Sequence, residues 1–151
     1  MTLQTHKIYI ACDQGAYELK NFLHQKMQEE YPNLEITDFG VNDNQSVDYP
    51  DKAKEVAQAI KSDKTAFGLL LCGTGIGISI AANRHPWIRA ALVHTTYEAE
   101  ITRLHNNANV IVFGGRTIGP DAAWHALKAF LNTAFESGGR HERRVAKIND
   151  L

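Results

Sequence analysis

The chain has 151 residues, with 16 Lys and Arg against 17 Asp and Glu, and its formal net charge is −1. This length is sufficient for one domain with its own hydrophobic core, and near-neutral charge provides no general attraction to nucleic acid or to a membrane surface. Two cysteines, Cys12 and Cys72, are too few for a disulfide framework and have no metal-ligand spacing. We therefore expect one cytoplasmic domain over residues 1–151, without nucleic-acid or membrane partners.

Apolar, β-rich runs alternate with helical patterns along the whole chain. The predicted strands are residues 7–11, 34–39, 67–72, 88–93 and 109–113. Apolar residues recur at helical spacing between and after them: Leu19, Phe22, Leu23 and Met27; Ala53, Val56, Ala57 and Ile60; Tyr97, Ile101 and Leu104; and Ala123, Leu127, Phe130 and Ala134. This alternation predicts an α/β fold, a three-layer αβα domain with a Rossmann or flavodoxin-like open five-stranded parallel sheet.

Polar clusters directly follow three of the predicted strands. They are residues 12–14 (CDQ), 72–77 (CGTGIG) and 114–116 (GGR). Ligands of an open parallel sheet bind outside the carboxyl ends of the strands. We therefore expect these three clusters to open on the same edge of the sheet.

The glycine-rich loop after the third strand is the most informative of these clusters. Gly73, Gly75 and Gly77 permit a backbone that presents N–H groups at the start of a helix, where an anion or an oxyanion binds. The positive end of that helix favours the thiolate form of Cys72. A second interpretation is that Cys72 is a buried apolar residue and the glycines only form a tight turn. The loop lacks the residues of a Walker A or dinucleotide loop, and Ile78 stands where a cysteine phosphatase needs arginine.

His105, Arg140 and Arg144 follow predicted helices, which places them at the opposite edge of the sheet from Cys72. A two-fold dimer could bring one subunit's far edge against the other's ligand edge. The alternative for His105 is a residue that caps a helix C-terminus, and for the two arginines a solvated terminal helix.

Five segments in this order resemble the ribose-5-phosphate isomerase B family, which includes isomerases for allose 6-phosphate and galactose 6-phosphate. They are residues 12–20 (CDQGAYELK), 48–53 (DYPDKA), 69–84 (LLLCGTGIGISIAANR), 103–116 (RLHNNANVIVFGGR) and 137–145 (SGGRHERRV). The resemblance implies interconversion of an aldose phosphate and a ketose phosphate through an enediol(ate), without metal or organic cofactor.

The resemblance also implies the residues that move protons. Cys72 would transfer a proton between C1 and C2, and Ile76 stands where another branch of the family has glutamate. Thr74 and the backbone N–H groups of Gly73, Gly75, Ile76 and Gly77 would hold the developing oxyanion. His105 would act as acid and base in opening of the sugar ring.

Further residues would hold the sugar and its phosphate. Asp13 and Asn106 would orient hydroxyl groups, while Arg116, Arg140 and Arg144 would bind the phosphate with their forked donors. In the family the site lies between two subunits. We expect a homodimer with shared sites, with pairing into a tetramer left open, and a basic segment 137–151 that reaches the partner subunit.

One departure from the family concerns Gln14, which stands where many members have a phosphate-binding histidine. Glutamine retains a donor but cannot carry charge. The leading prediction is interconversion of ribose 5-phosphate and ribulose 5-phosphate. A hexose 6-phosphate isomerase is the alternative, since loop 40–47 could admit a longer sugar, and a non-catalytic module that binds phosphorylated metabolites is a third.

Three further residues have expectations of their own. Cys12 should pack at a strand end, where it could lie near Cys72. Tyr49 could border the site, and His141 could add a phosphate contact at low pH.

Overall fold

The computed structural model describes residues 2–151. Strands and helices alternate until a final pair of helices. The strands are β1 (Lys7–Cys12), β2 (Glu35–Asp38), β3 (Phe67–Cys72), β4 (Ala90–Leu92) and β5 (Val110–Gly114), and the helices are α1 (Tyr17–Glu30), α2 (Tyr49–Ser62), α3 (Ile76–Ala82), α4 (Thr96–Asn106), α5 (Pro120–Asn132) and α6 (Arg140–Asn149). Within residues 2–151, none of these helices has the length and apolar character needed to cross a membrane.

All four strand pairings are parallel, in the order β2-β1-β3-β5-β4. The predicted three-layer α/β class is therefore confirmed. The chain leaves β1 toward β2 on one side and then crosses to β3 on the other. Ligands of such sheets bind in the crevice where the strand order reverses, which here lies between the carboxyl ends of β1 and β3.

Helices cover both faces of the sheet because alternate side chains of each buried strand point to opposite faces. Ile8 and Ile10 pack with α1, α4 and α5, while Tyr9 and Ala11 pack with α2 and α3. The sixth helix, α6, packs against α4 outside these layers. This helix lies within residues 137–151, the segment distinguished in the sequence by its basic composition.

The two cysteines lie on opposite faces of this sheet. Cys12 packs with the α1 and α5 side, whereas Cys72 packs with the α2 and α3 side. Cys12 pairs with Leu71, the residue before Cys72, so the two backbones are near each other as expected. Their thiols are separated by the sheet, because the two residues occupy different phases of the side-chain alternation. Burial raises the pKa of Cys12 to about 12, and its thiol donates to the Val41 carbonyl at 3.3 Å. Cys12 is therefore an unreactive core thiol.

The buried side of helix α4 is not the apolar stripe predicted for it. It buries Ala99, Thr102 and Arg103, while the Tyr97 side chain is 70% exposed. The Arg103 guanidinium stacks 4.5 Å from the centroid of the Phe67 ring, so a cation occupies the core-facing side. Tyr97 is left on the outer surface of the chain, and Ile101 and Leu104 are only partly buried.

Smaller corrections concern the ends of elements. The strand predicted over residues 88–93 is reduced to Ala90–Leu92 at the edge of the sheet. Helix α5 ends at Asn132 because Thr133 adopts an extended backbone, and Ala134 therefore lies beyond the helix and is exposed. The other strands agree with the prediction to within one residue at each end.

A buried lysine connects α1 to the loop that follows β2. Lys20 is fully buried, and its Nζ donates to Asp38 Oδ2 and to Asn42 Oδ1, both at 2.6 Å. A buried charge is tolerated only when partners replace the water it has lost. This network therefore fixes the start of loop 40–47.

Replacing Lys20 with methionine should lower the free energy of unfolding by about 3 kcal/mol, because Asp38 and Asn42 then lose their buried partner. The matched control is Lys54→Met on the exposed surface of α2, for which we expect a change within about 0.5 kcal/mol. Urea unfolding measures both variants. Equal stability of the two variants would contradict the role given to Lys20.

Candidate active site

Backbone hydrogen bonds join the three loops that follow β1, β3 and β5. Asp13 N–H donates to the Leu71 carbonyl at 3.2 Å, Gly115 N–H to the Cys72 carbonyl at 2.8 Å, and Arg116 N–H to the Gly73 carbonyl at 2.9 Å. The prediction that these clusters open on the same edge of the sheet is confirmed. They form one continuous surface across the crevice between β1 and β3.

The loops approach each other more closely than side chains allow at several glycines, among them Gly75 and Gly15. Gly75 has φ +76°, and a Cβ added there would lie 2.5 Å from Leu92 Cδ1. A Cβ on Gly15 would lie 2.9 Å from the backbone nitrogen of Gly73. Glycine is required at Gly75 for conformation and space, and at Gly15 for space alone.

Cys72 ends β3 directly before this loop. The residue is 5% exposed, and its Sγ accepts the N–H of Gly75 at 3.2 Å. Helix α3 begins at Ile76, so the sulfur lies at the amino end of that helix. A backbone N–H group therefore holds the Cys72 sulfur in place at the start of the loop.

The outer side of the loop is lined by a hydroxyl and an aromatic ring. Thr74 is exposed, and its Oγ1 accepts the N–H of Ile76 at 3.3 Å. A Cβ on Gly77 would meet the Tyr49 ring at 2.6 Å, so this tyrosine packs directly on the loop. This contact agrees with the expectation that Tyr49 borders the predicted site. Ile76 is 55% exposed.

Asp13 and Gln14 face the loop from the end of β1. The Asp13 side chain is held by the N–H of Gly15, which donates to its Oδ1 at 2.9 Å. Gln14 Oε1 accepts the N–H of Val47 at 3.0 Å. This bond ties the end of loop 40–47 to the site and leaves the amide nitrogen of Gln14 as the donor for a ligand.

Gln14 and Arg116 line a cavity of about 230 Å³ at the amino end of α1, together with residues 15–19 and Gly115. The Arg116 guanidinium lies over Gly73, with Nη1 3.2 Å from where a Cβ would stand. No side chain caps the start of α1. The cation and the free helix end favour an anion in this cavity, while the Glu18 carboxylate, which also lines it, opposes one.

His105 lies elsewhere, in the last turn of α4. Its ring stacks on that of His141, with the centroids 3.9 Å apart and the planes 7° from parallel. These two histidines, Glu136 and Arg140 line a cavity of about 340 Å³. Burial lowers the pKa of His141, and the charges of His105, Arg140 and Arg144 lower it further.

The length of β5 separates these two clusters within one chain. This strand runs from Val110 to Gly114, and its residues rise about 3.3 Å each, so the two edges of the sheet are roughly 15 Å apart. His105 and Asn106 precede the strand, and Arg116 follows it. One chain therefore brings the predicted residues at the carboxyl ends of the strands together at one edge: Asp13, Gln14, Cys72, Gly73, Thr74, Gly75, Ile76, Gly77 and Arg116. The remaining predicted residues lie at the other edge: His105, Asn106, Arg140 and Arg144.

Sequence reasoning did not find the pairing of His105 with His141. The two residues lie on different helices, and hydrophobic periodicity does not report which helix faces which. A weak signal exists in α6, where His141 and Val145 are four residues apart and form its buried side within an otherwise charged run.

Comparison with known proteins identifies the family of this chain. The family model for ribose/galactose isomerases matches residues 8–148. The chain is 39% identical over 145 residues to ribose-5-phosphate isomerase B of Escherichia coli, covering 96% of this chain and 95% of that one. It is 44% identical over 133 residues to the D-erythrulose-4-phosphate isomerase of Pectobacterium atrosepticum, covering 87% and 86%.

A solved structure extends the likeness to three dimensions. The crystal structure of a ribose 5-phosphate isomerase from Thermotoga maritima has a TM-score of 0.90 and 48% sequence identity, and the match covers 96% of this chain and 98% of that one. The predicted isomerase family is thereby confirmed: the chain belongs to the ribose/galactose isomerase family.

Proposed function

We propose that this chain interconverts ribose 5-phosphate and ribulose 5-phosphate, with Cys72 as the proton-transfer base. The observation that carries the proposal is the position of the Cys72 sulfur. It accepts the Gly75 N–H at 3.2 Å in the loop that Arg116 covers, beside the anion cavity at Gln14. A base and an anion site thus lie on the same edge of the sheet, as a sugar phosphate requires.

The reaction begins with the closed sugar. Opening the ring breaks the bond between C1 and the ring oxygen. The anomeric hydroxyl loses a proton and the ring oxygen gains one. We assign this proton transfer to the partner subunit's His105. The Cys72 thiolate then removes the proton from C2, and the electron pair forms the C1–C2 double bond while the carbonyl oxygen becomes negative. The proton of the C2 hydroxyl then passes to the negative oxygen on C1, and return of the proton from the Cys72 thiol to C1 gives the ketose and restores the thiolate.

The loop after β3 stabilises the negative oxygen. Gly75 already uses its amide on the Cys72 sulfur, and Ile76 uses its amide on Thr74 Oγ1. The donors that remain for the oxygen are the amides of Gly73, Thr74 and Gly77 and the Thr74 hydroxyl. Fixed donors of this kind lower the barrier because they need no rearrangement during the reaction.

The phosphate occupies the cavity at the start of α1. Arg116 supplies the charge within the chain, and the free amides of α1 add the positive end of the helix dipole. The partner subunit's Arg140 and Arg144 would approach from outside, since both are exposed and four residues apart on α6. The phosphate does not react, so its binding energy positions the reacting carbons.

A second copy of the chain completes this site. Apolar side chains remain exposed around the edge strand β4: Ile76 and Ile80 on α3, at 55% and 63%, and Tyr97 on α4, at 70%. Burying such a surface favours association. In the two-fold dimer we propose, Asp13 acts with the partner subunit's Asn106 on the sugar hydroxyls, and the basic segment 137–151 contacts the partner.

The length of the sugar is tested by a panel of substrates. Loop 40–47 is fixed at both ends, through Lys20 to Asn42 and through Gln14 to Val47, and it would border the bound substrate beside Gln14. A coupled assay with tetrose 4-, pentose 5- and hexose 6-phosphates should give the highest kcat/KM for ribose 5-phosphate. A higher kcat/KM for a tetrose or hexose phosphate would support the same isomerisation chemistry but show that ribose 5-phosphate is not the preferred substrate.

Replacing Cys72 with alanine should lower kcat by at least about 1,000-fold, since no other group takes the C2 proton. Sugar-phosphate binding, measured by thermal shift, should remain because Arg116 and the α1 cavity are unchanged. Cys12→Ala is the matched control, and its turnover should stay within about twofold because that thiol is fully buried on the other face of the sheet.

Two results would contradict this assignment. Near-normal turnover of the Cys72→Ala variant would exclude Cys72 as the base. Binding of sugar phosphates by the unaltered chain without isomerisation of any member of the panel would instead indicate a non-catalytic binding module.

Replacing Gln14 with histidine should lower the KM for ribose 5-phosphate about fivefold, because a charged donor binds phosphate more strongly than a neutral amide does. The decrease should be greater at pH 6 than at pH 8, since the imidazole is protonated at the lower pH. Gln14→Ala serves as the control for loss of the bond to Val47. An unchanged KM at both pH values would show that residue 14 does not contribute to phosphate binding.

A further inference from the structure

We propose that His105, Glu136 and His141 form a binding site for Zn²⁺, and that zinc bound there inhibits the enzyme. One ligand atom from each of these side chains lies within 4.8 Å of the other two. His141 Nε2 and Glu136 Oε2 are 4.0 Å apart. The three groups line the same cavity of about 340 Å³, which provides room for an ion and a water molecule.

The donor set suits zinc. Two imidazole nitrogens and one carboxylate oxygen, with an open fourth position, form a common tetrahedral zinc site. Ligand atoms about 2.1 Å from zinc are roughly 3.5 Å apart, so the present cluster must contract by about 1 Å. The Glu136 side chain is 63% exposed and can rotate, whereas the two parallel rings must tilt so that their nitrogens converge.

Protonation and charge around the cluster set the strength of binding. Zinc requires neutral imidazoles, so protons compete with the metal for the two histidines. The positive charges of Arg140 and Arg144 oppose a cation, while Glu136 favours it. We therefore expect a micromolar rather than a nanomolar dissociation constant, and weaker binding as pH falls and the imidazoles become protonated.

Zinc at this cluster would inhibit isomerisation because it binds the His105 ring that the proposed mechanism uses in ring opening. A metal on its ring nitrogen occupies the lone pair that would accept a proton during ring opening. This consequence depends on the proposed function, whereas zinc binding itself does not. Zinc binding is therefore measured without substrate, and inhibition by zinc is measured separately in the isomerase assay.

Cys72 needs a control because a thiolate also binds zinc. It lies at the opposite edge of the sheet in the same chain, so a Cys72→Ser variant removes that site and leaves the histidine cluster intact. Glu136→Gln removes one ligand of the cluster from the exposed surface. Glu100→Gln is its matched control, an exposed carboxylate of α4 outside the cluster.

Calorimetric titration of the Cys72→Ser protein with ZnCl₂ should show one ion bound per chain. Adding Glu136→Gln should weaken binding about tenfold, His141→Ala should weaken it further, and Glu100→Gln should leave it unchanged. With Cys72 present, Glu136→Gln should retain turnover in the absence of metal and require about tenfold more zinc for half inhibition.

Two results would overturn the proposal. The first is no zinc binding by the Cys72→Ser protein at millimolar metal. The second is binding or inhibition that Glu136→Gln and Glu100→Gln alter equally, which would place the ion elsewhere. Circular dichroism of each variant checks that a loss of binding is not a loss of folding.

Discussion

The common direction of the five strands is the constraint on which the site depends. Parallel pairing places every carboxyl end at one edge and every amino end at the other. Cys72 therefore lies at one edge, and His105 and Arg140 lie at the other, separated by the length of β5. No side-chain rotation covers such a distance. A reaction that needs both groups needs two copies of the chain, and the exposed Ile76, Ile80 and Tyr97 provide a surface through which they could associate.

Within each chain, close backbone contact determines the chemistry of the edge. The loops after β1, β3 and β5 are joined through Asp13, Gly115 and Arg116 N–H groups, and Gly15 and Gly75 make this approach possible. The same contacts direct a backbone N–H at the Cys72 sulfur and place Arg116 over the loop. The sequence around these glycines thus serves packing and, in the proposed reaction, catalysis as well.

Much of this arrangement could be predicted from the sequence, because it depends on local patterns. Continuous apolar runs identified the buried strands, and the residues after β1, β3 and β5 identified the ligand edge. Contacts between distant elements could not be predicted. The position of β5 between β3 and β4, the stack of His105 on His141 and the burial of Arg103 against Phe67 depend on which helices face each other. The core-facing stripe expected at Tyr97 failed for this reason, since apolar spacing alone does not show which side of a helix is buried.

The most direct test of the account is complementation between two inactive variants, Cys72→Ala and His105→Ala, carrying different tags and refolded together. Random association of equal amounts of the two variants makes half of the dimers hybrids. If each site takes its thiol from one chain and its imidazole from the other, each hybrid has one intact site. Activity should then recover to about one quarter of that of the unaltered protein. Purified hybrids that remain as inactive as their parents would show that the two groups do not act together across a subunit boundary.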